Sequence, residues 1–317
     1  MSLKIKYIIS VLVITIYSAC GVEDQQAENR VSNELRRNEF KITRSQHYEL
    51  FKVSQDPKAL LVLFPGKGGN PSTIQREFSI LEIAKKNGVS VLMMDHTGSL
   101  FLNDRTKEKL TTTIEEVIDG NNIPVSNVAI GGFSSGGIVS VLLSDHLIRT
   151  GNKIRPKKVF LVDSPLDLVF LYNASTNIDT SSHELSKKES EFIVKYFQDR
   201  LNSKEHLLER IAAVSPYVHA TKDLENMSAL QQVDLRAYTE PDSMWWWQNR
   251  NASYKEMNAY SIKCLVKEAK IQGWQNISLI ETKNKGFRSN GDRHPHSWSI
   301  VDPEDLVEWI LEDTGLE

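Results

Sequence analysis

Cysteine is scarce in this chain of 317 residues, which contains only Cys20 and Cys264. Two cysteines cannot form the disulfide framework that stabilises many small secreted domains. Cys264 lies in a segment with helical periodicity, and we expect it to be a small buried hydrophobe.

An excess of charge of either sign is also lacking. The 38 Lys and Arg residues nearly balance the 41 Asp and Glu residues, which leaves a net charge of −3. No basic stripe interleaved with aromatic residues is present, so neither nucleic acid nor an anionic membrane surface is indicated as a partner. Apart from His294 and His296, no His or Cys pair has metal-ligand spacing, and we predict neither a metal site nor a cofactor.

Long apolar runs are missing except near the N-terminus. Residues 7–17 are apolar or small and follow a short basic start, but the run is too short for a comfortable membrane span. Residues 1–20 therefore form a predicted secretory signal. Because Ser18 and Ala19 precede Cys20, the segment also resembles the lipobox of bacterial lipoproteins.

That resemblance implies that Cys20 is acylated and becomes the mature N-terminus. The protein would then be anchored in a bacterial cell envelope through its lipid, facing either the periplasm or the outside. Simple secretion and a retained anchor helix are the alternatives. Residues 21–37 are polar and aperiodic, which predicts a flexible tether.

From residue 38 to residue 317 the chain is expected to form one α/β domain. A predicted edge hairpin covers 39–45 and 48–54. A continuously apolar strand follows at 59–64, and further mainly apolar strands follow at 89–94, 125–130 and 159–162. Helical patterns separate these strands, which indicates a mainly parallel sheet with flanking helices. The segment from about residue 166 to residue 232 contains long helical patterns without a β-like run, and we interpret it as an inserted helical cap.

The motif that organises the chain is Gly132-Phe133-Ser134-Ser135-Gly136, which follows an apolar strand and precedes a helix of small residues. It matches the Gly-x-Ser-x-Gly nucleophile elbow, in which the strained turn exposes the serine hydroxyl. The alternative is a glycine-rich strand end without chemistry.

A serine hydroxyl needs a base, and the base needs a carboxylate to orient it. The elbow predicts both on later loops, in the order serine, acid, histidine. Two carboxylates, Glu240 and Asp242, follow the strand predicted at 233–238. Two histidines, His294 and His296, follow the last predicted strand at 277–282.

With these motifs in this order, the chain resembles the α/β-hydrolase family from about Phe40 onward. The resemblance implies a serine hydrolase that forms an acyl-enzyme. It favours Asp242 over Glu240 as the acid, because the family usually carries it a few residues past the strand. It favours His296 over His294 because His-Ser-Trp resembles the family's segment before the last helix.

The family also implies an oxyanion hole. Its donors would be the backbone N–H groups of Ser135 and of Lys67, the latter in the glycine-rich loop 65–70. This loop lacks the Gly-Lys-Ser/Thr ending of a phosphate loop. We predict carboxylic-ester hydrolysis on a small-molecule, glycan or peptide acyl substrate. A serine peptidase and a non-catalytic binding module are the alternatives.

Overall fold

The structure is a computed structural model that describes residues 39–54, 56–177, 184–201 and 205–312. The predicted lipoprotein signal at 1–20, with its lipidation site Cys20, and the tether at 21–37 lie outside these residues. Within the described part, no helix is both long enough and apolar enough to cross a membrane.

Strands and helices alternate along the chain. The strands are β1 (Phe40–Arg44), β2 (Tyr48–Val53), β3 (Ala59–Phe64), β4 (Val89–Met94), β5 (Val128–Phe133), β6 (Pro156–Val162), β7 (Asp234–Thr239) and β8 (Ile277–Glu281). The α-helices are α1 (Pro71–Glu77), α2 (Leu81–Asn87), α3 (Asp104–Asn121), α4 (Ser135–Arg149), α5 (Leu168–Thr176), α6 (Glu184–Leu201), α7 (Leu207–Val214), α8 (Ser243–Arg250), α9 (Asn258–Ile271) and α10 (Pro303–Leu311). Short 3₁₀ helices cover Glu225–Gln232, Tyr254–Glu256 and Trp298–Ile300.

All eight strands form one sheet in the order β1-β2-β4-β3-β5-β6-β7-β8. The pairs β1–β2 and β2–β4 are antiparallel, and the pairs from β4 through β3, β5, β6 and β7 to β8 are parallel. The predicted parallel sheet with an antiparallel edge hairpin is therefore confirmed. The order places β5 between β3 and β6, so the elbow leaves the middle of the sheet.

The sheet is buried on both faces, which explains the continuously apolar strands. In β3, Leu60, Val62 and Phe64 point into one core cluster, which also contains residues of α3, α4, α6 and α9. Leu61 and Leu63 point into the other, which contains residues of α1, α2 and α10. Helices thus cover both faces and leave the carboxyl ends of the strands to carry function.

Several sequence-based boundaries were wrong. The helical spacing of Ile74, Phe78, Leu81 and Ala84 predicts one helix. The segment forms α1 and α2 instead, because Phe78 takes an extended conformation and its ring stacks on Trp298 with centroids 4.7 Å apart. Strand β5 continues to Phe133 rather than ending at Ile130. The two glycines in between pair with β3 and β6 as strand residues, although their low strand propensity indicated a loop.

The segment between β6 and β7, interpreted from sequence as a cap, is helical in its described part. It contains α5, α6, α7 and the 3₁₀ helix Glu225–Gln232. Side chains of α5 and α6 reach the cavity above the elbow, which makes this segment the roof of the site.

Candidate active site

Ser134 stands in a strained backbone conformation between β5 and α4. Its φ of 54° and ψ of −123° place a non-glycine residue in a region that L-amino acids avoid, at a cost of about 1–3 kcal/mol. The Ser134 N–H donates to the carbonyl of Val162 at 2.9 Å, which ties the turn to β6. The local geometry is that expected of a nucleophile elbow.

The glycines of the motif allow this turn. A Cβ atom on Gly132 would lie 2.3 Å from the carbonyl carbon of Gly136, and one on Gly136 would lie 2.4 Å from the carbonyl oxygen of Phe64. Since these contacts are with backbone atoms, no rotamer change could relieve them.

His296 is held by a carboxylate that the sequence analysis did not consider. Its Nδ1 lies 2.7 Å from Oδ2 of Asp163, and the side chain of Asp163 is buried. The carboxylate accepts a hydrogen bond from Nδ1–H, so Nε2 is left without a proton and can act as the acceptor that a general base requires. The imidazole ring packs on Phe133 with centroids 4.4 Å apart, directly beside the elbow.

Asp163 follows β6 and is fixed from several sides. Its Oδ1 accepts a hydrogen bond of 2.6 Å from Thr239 Oγ1, and its N–H donates to the carbonyl of Tyr238 at 2.8 Å. Its own carbonyl accepts from Asn258 Nδ2 at 2.8 Å. With a φ of 45°, Asp163 also leaves the strand in a strained turn that aims its carboxylate at the histidine loop.

The structure does not bring Asp242, the favoured acid, to either histidine. Its Oδ1 caps α8 by accepting from the N–H of Trp245 at 3.0 Å, and its Oδ2 pairs with Arg293 at 2.7 Å. An aspartate before a helix is a good N-cap, and this competing role decides its orientation.

Glu240, the alternative acid, does not contact a histidine either. Its buried carboxylate accepts hydrogen bonds from Thr282 Oγ1 and from the N–H groups of Lys285 and Gly286, and it pairs with Arg293. Glu240 therefore anchors the start of the loop that carries His296. The expectation that one of these two carboxylates contacts the base was wrong, and Asp163 takes the place.

His294, the alternative base, lies beside the site without a carboxylate partner in the described part of the chain. Its ring packs on Trp245 with centroids 4.5 Å apart, and its buried Nδ1 has no hydrogen-bond partner there. Burial, followed by the charges of Arg288, His296 and Arg250, lowers the pKa of His294 to about 3. The ring is therefore neutral at physiological pH.

The two predicted oxyanion donors flank Ser134. Ser135 is the first residue of α4, so its N–H has no intrahelical acceptor. The loop after β3 turns tightly, with the N–H of Gly69 donating to the carbonyl of Gly66 at 3.0 Å. A Cβ on Gly66 would lie 3.3 Å from Cβ of Ser134, which places the neighbouring Lys67 peptide next to the elbow. Neither the Ser135 nor the Lys67 N–H has an acceptor among the described residues.

These groups share one cavity of about 630 Å³, which Ser134, His296, Lys67 and Ser135 all line. Within the described part of the chain the Ser134 hydroxyl makes no hydrogen bond, and such catalytic contacts commonly tighten only when substrate binds. Trp246 also lines the cavity, whereas Trp245 packs against His294. No cluster of three or more His, Cys, Asp or Glu side chains suited to a metal ion occurs among the described residues.

Comparison with known proteins supports the fold. No family model matches the chain, and no curated protein matches it either. Solved structures do match, and esterases and serine hydrolases are among them.

One is the fluorophosphonate-binding serine hydrolase F of Staphylococcus aureus with bound substrate, at 13% identity and a TM-score of 0.51, covering 86% of this chain and 97% of that one. Another is an esterase of the bacterial hormone-sensitive lipase family, at 16% identity and a TM-score of 0.52, covering 86% and 83%. The third is an S-formylglutathione hydrolase of Agrobacterium tumefaciens, at 12% identity and a TM-score of 0.51, covering 87% and 94%. The sheet order, the elbow and these likenesses together establish that the chain has the α/β-hydrolase fold.

Proposed function

We propose that this protein is a serine hydrolase that cleaves carboxylic esters through an acyl-enzyme. The observation that carries the proposal is the buried contact of Asp163 with His296, in a cavity whose floor is the strained Ser134. A strained serine, an oriented imidazole and free backbone donors in one cavity together favour nucleophilic acyl transfer over a purely structural role.

In the proposed mechanism, Ser134 Oγ attacks the ester carbonyl carbon while Nε2 of His296 takes the hydroxyl proton. Asp163 holds the ring through Nδ1 and stabilises its positive charge. The carbonyl electrons move onto oxygen, where the N–H groups of Ser135 and Lys67 donate to the oxyanion, helped by the N-terminus of α4.

The tetrahedral intermediate then collapses. His296 gives its proton to the leaving alkoxide, and the alcohol departs from the acyl-enzyme. Water next attacks the acyl carbon as His296 removes its proton, and the carboxylic acid leaves when Ser134 regains a proton from the ring.

The Ser134→Ala substitution tests the proposal. The full-length protein should hydrolyse 4-nitrophenyl acetate, and Ser134→Ala should lower kcat by about a million-fold. The control is Ser140→Ala in α4, the helix that follows Ser134, because the Ser140 hydroxyl donates to the carbonyl of Gly136 and does not line the cavity.

A fluorophosphonate probe gives an independent readout, because it forms a covalent bond only with an activated serine. Mass spectrometry should locate the adduct on Ser134. A folded wild-type protein that neither turns over esters nor reacts with the probe would contradict the proposal and favour a non-catalytic binding module.

The location of the protein is a separate proposal that depends on the sequence alone. We propose that lipid on Cys20 anchors the enzyme in the cell envelope. Metabolic labelling with an alkynyl fatty acid should mark the wild-type protein and not Cys20→Ser. Equal labelling of the two would contradict the anchor, and release of unlabelled wild type into the medium would indicate simple secretion.

A further inference from the structure

Two arginines line the cavity without a counter-ion. Arg250 ends α8, Arg288 lies in the loop after β8, and both face the cavity that contains Ser134 and His296. Among the described residues, neither guanidinium forms a hydrogen bond or an ion pair with a carboxylate. Other partly buried arginines of the chain do have such partners, as Arg293 does with Asp242 at 2.7 Å.

Arg288 is partly buried. Burial lowers the pKa of Arg288, and the charge of Arg250 lowers it further, whereas Glu77 raises it. A partly buried cation beside a second cation is unfavourable unless an anion joins them. The fold thus maintains a positive site whose two guanidinium groups form no ion pair within the described chain.

Nearby carboxylates are already engaged. Glu77 accepts from the N–H of Ser289 at 3.0 Å and from its hydroxyl at 2.8 Å, and it pairs with Arg76 at 2.9 Å. Glu256 accepts hydrogen bonds from the N–H and the hydroxyl of Ser253. Among the described residues neither carboxylate forms an ion pair with Arg250 or Arg288, although the charge of Glu77 is near enough to raise the pKa of Arg288.

The remaining charged groups of the cavity wall also have partners. Lys67 Nζ lies 3.3 Å from the centroid of the Phe192 ring, and its pKa is lowered by burial and raised in part by Glu189. His294, between the arginines and the proposed base, is neutral because its pKa is lowered to about 3. Arg250 and Arg288 are therefore the cations with capacity for a ligand.

The positive site lies close to the reacting groups. The Arg288 guanidinium carbon is 5.7 Å from the centroid of the Phe133 ring, on which His296 also packs at 4.4 Å. A single aromatic ring thus separates Arg288 from the imidazole, so a ligand of a few carbon atoms could contact both Ser134 and the arginine.

We propose that Arg250 and Arg288 bind an anionic group of the substrate, so that the ester hydrolysed here carries a carboxylate or a phosphate. This inference rests on the proposed ester hydrolysis. A guanidinium presents its donors in a planar fork that fits both anions, whereas a neutral acyl chain would leave the two cations unpaired.

Matched esters test the proposal. The first is mono-4-nitrophenyl succinate, the second is its neutral methyl ester, and the third carries a terminal phosphonate in place of the carboxylate. For wild type, kcat/KM should be about ten- to a hundred-fold higher for a charged ester than for the neutral one, the size of effect of a charge-assisted hydrogen bond. A preference for carboxylate or for phosphonate identifies which anion the site prefers.

Arg288→Gln and Arg250→Gln should each reduce the charged-to-neutral ratio toward one, and Arg288→Lys should restore part of it. The control is Arg44→Gln on β1, an exposed arginine paired with Glu49 outside the cavity, which should leave both rates unchanged. Circular dichroism and the melting temperature establish that each variant is folded.

The outcomes separate the two proposals. If Ser134-dependent hydrolysis occurs but wild type shows no preference for the charged esters, the anion site is wrong and the hydrolase proposal stands. If no ester is hydrolysed, calorimetry of the Ser134→Ala protein with the same three esters tests the site without turnover. Tighter binding of a charged ester that Arg288→Gln abolishes would support the site, and equal binding of all three would overturn it.

Discussion

His296 and Asp163 are 133 positions apart in the chain, yet Nδ1 of the imidazole lies 2.7 Å from a carboxylate oxygen of the aspartate. The contact joins the loop after β8 to the end of β6, next to the strand that delivers Ser134. Because the carboxylate also accepts from Thr239 Oγ1, the imidazole meets an acceptor that is already fixed in place. This arrangement distinguishes His296, the proposed base, from its neighbour His294.

Glu240 should prove structural. The Glu240 carboxylate accepts three hydrogen bonds and pairs with Arg293. Glu240→Gln would replace it with a neutral amide, whose NH₂ group cannot accept a hydrogen bond. We expect the free energy of unfolding to fall by about 1–3 kcal/mol, measured by urea denaturation, while the folded enzyme keeps its turnover.

The control for this change is Glu82→Gln on α2, which removes an exposed ion pair with Lys85 and should cost less than about 1 kcal/mol. A Glu240→Gln protein as stable as wild type but nearly inactive would instead make Glu240 the catalytic acid.

His294 should make the protein sensitive to mild acid. Its folded-state pKa of about 3 lies below the ordinary value of 6.5, so the unfolded chain takes up this proton at a higher pH than the folded protein does. The stability contributed by the neutral ring is complete above about pH 6.5 and is lost as the pH falls toward 3. After allowance for partial solvent access we expect a loss of about 1–3 kcal/mol.

His294→Phe keeps a ring against Trp245 but cannot titrate. Urea midpoints measured from pH 7 to pH 4 should therefore fall less steeply for His294→Phe than for wild type or for His47→Gln in the turn between β1 and β2. Identical slopes for all three proteins would contradict the assignment of a depressed pKa to His294.

The tight packing at the elbow can be tested by comparing alanine substitutions at two helical glycines, Gly136 at the elbow and Gly120 away from it. A Cβ at Gly136 would lie 2.4 Å from the Phe64 carbonyl oxygen, whereas one at Gly120 in α3 meets nothing within 4 Å. Gly120→Ala should stabilise the protein by up to about 1 kcal/mol through helix propensity.

Gly136→Ala should destabilise it by several kcal/mol or prevent folding, since the helix and the strand would have to move apart. Thermal melting of the two variants provides the comparison. A Gly136→Ala protein with the same melting temperature as wild type would show that the turn is not as tight as described.

Much of the fold could be predicted from periodicity. The continuously apolar segments at 59–64 and 89–94 are strands with those bounds, because burial on both sheet faces leaves a clear signal. The extension of β5 through Gly131 and Gly132 could not be predicted, since only the approach of Phe160 and of α4 gives those glycines their role. The break at Phe78 likewise depends on Trp298, which is 220 positions away in the chain.

The sequence indicated the serine and the histidine of the candidate site, but it did not indicate which carboxylate contacts the histidine. Ser134 and His296 could be located because each belongs to a local motif at the end of a strand. The carboxylate has no motif of its own, and Asp242, Glu240 and Asp163 all follow strands of the sheet. Only the structure shows that Asp242 caps α8 and that Arg293 pairs with both Asp242 and Glu240. The available signal was that Asp163 follows β6, the strand beside the elbow.

The most direct test of the account compares kcat/KM for 4-nitrophenyl acetate in Asp163→Asn and Asp242→Asn. Asp163→Asn should reduce it by about ten-thousand-fold, because an amide fixes the wrong tautomer of His296. Asp242→Asn retains an N-capping side chain and should stay within a few-fold of wild type, with at most about 1 kcal/mol of lost stability. The reverse result, with Asp242→Asn inactive and Asp163→Asn near wild type, would contradict the Ser134–His296–Asp163 assignment.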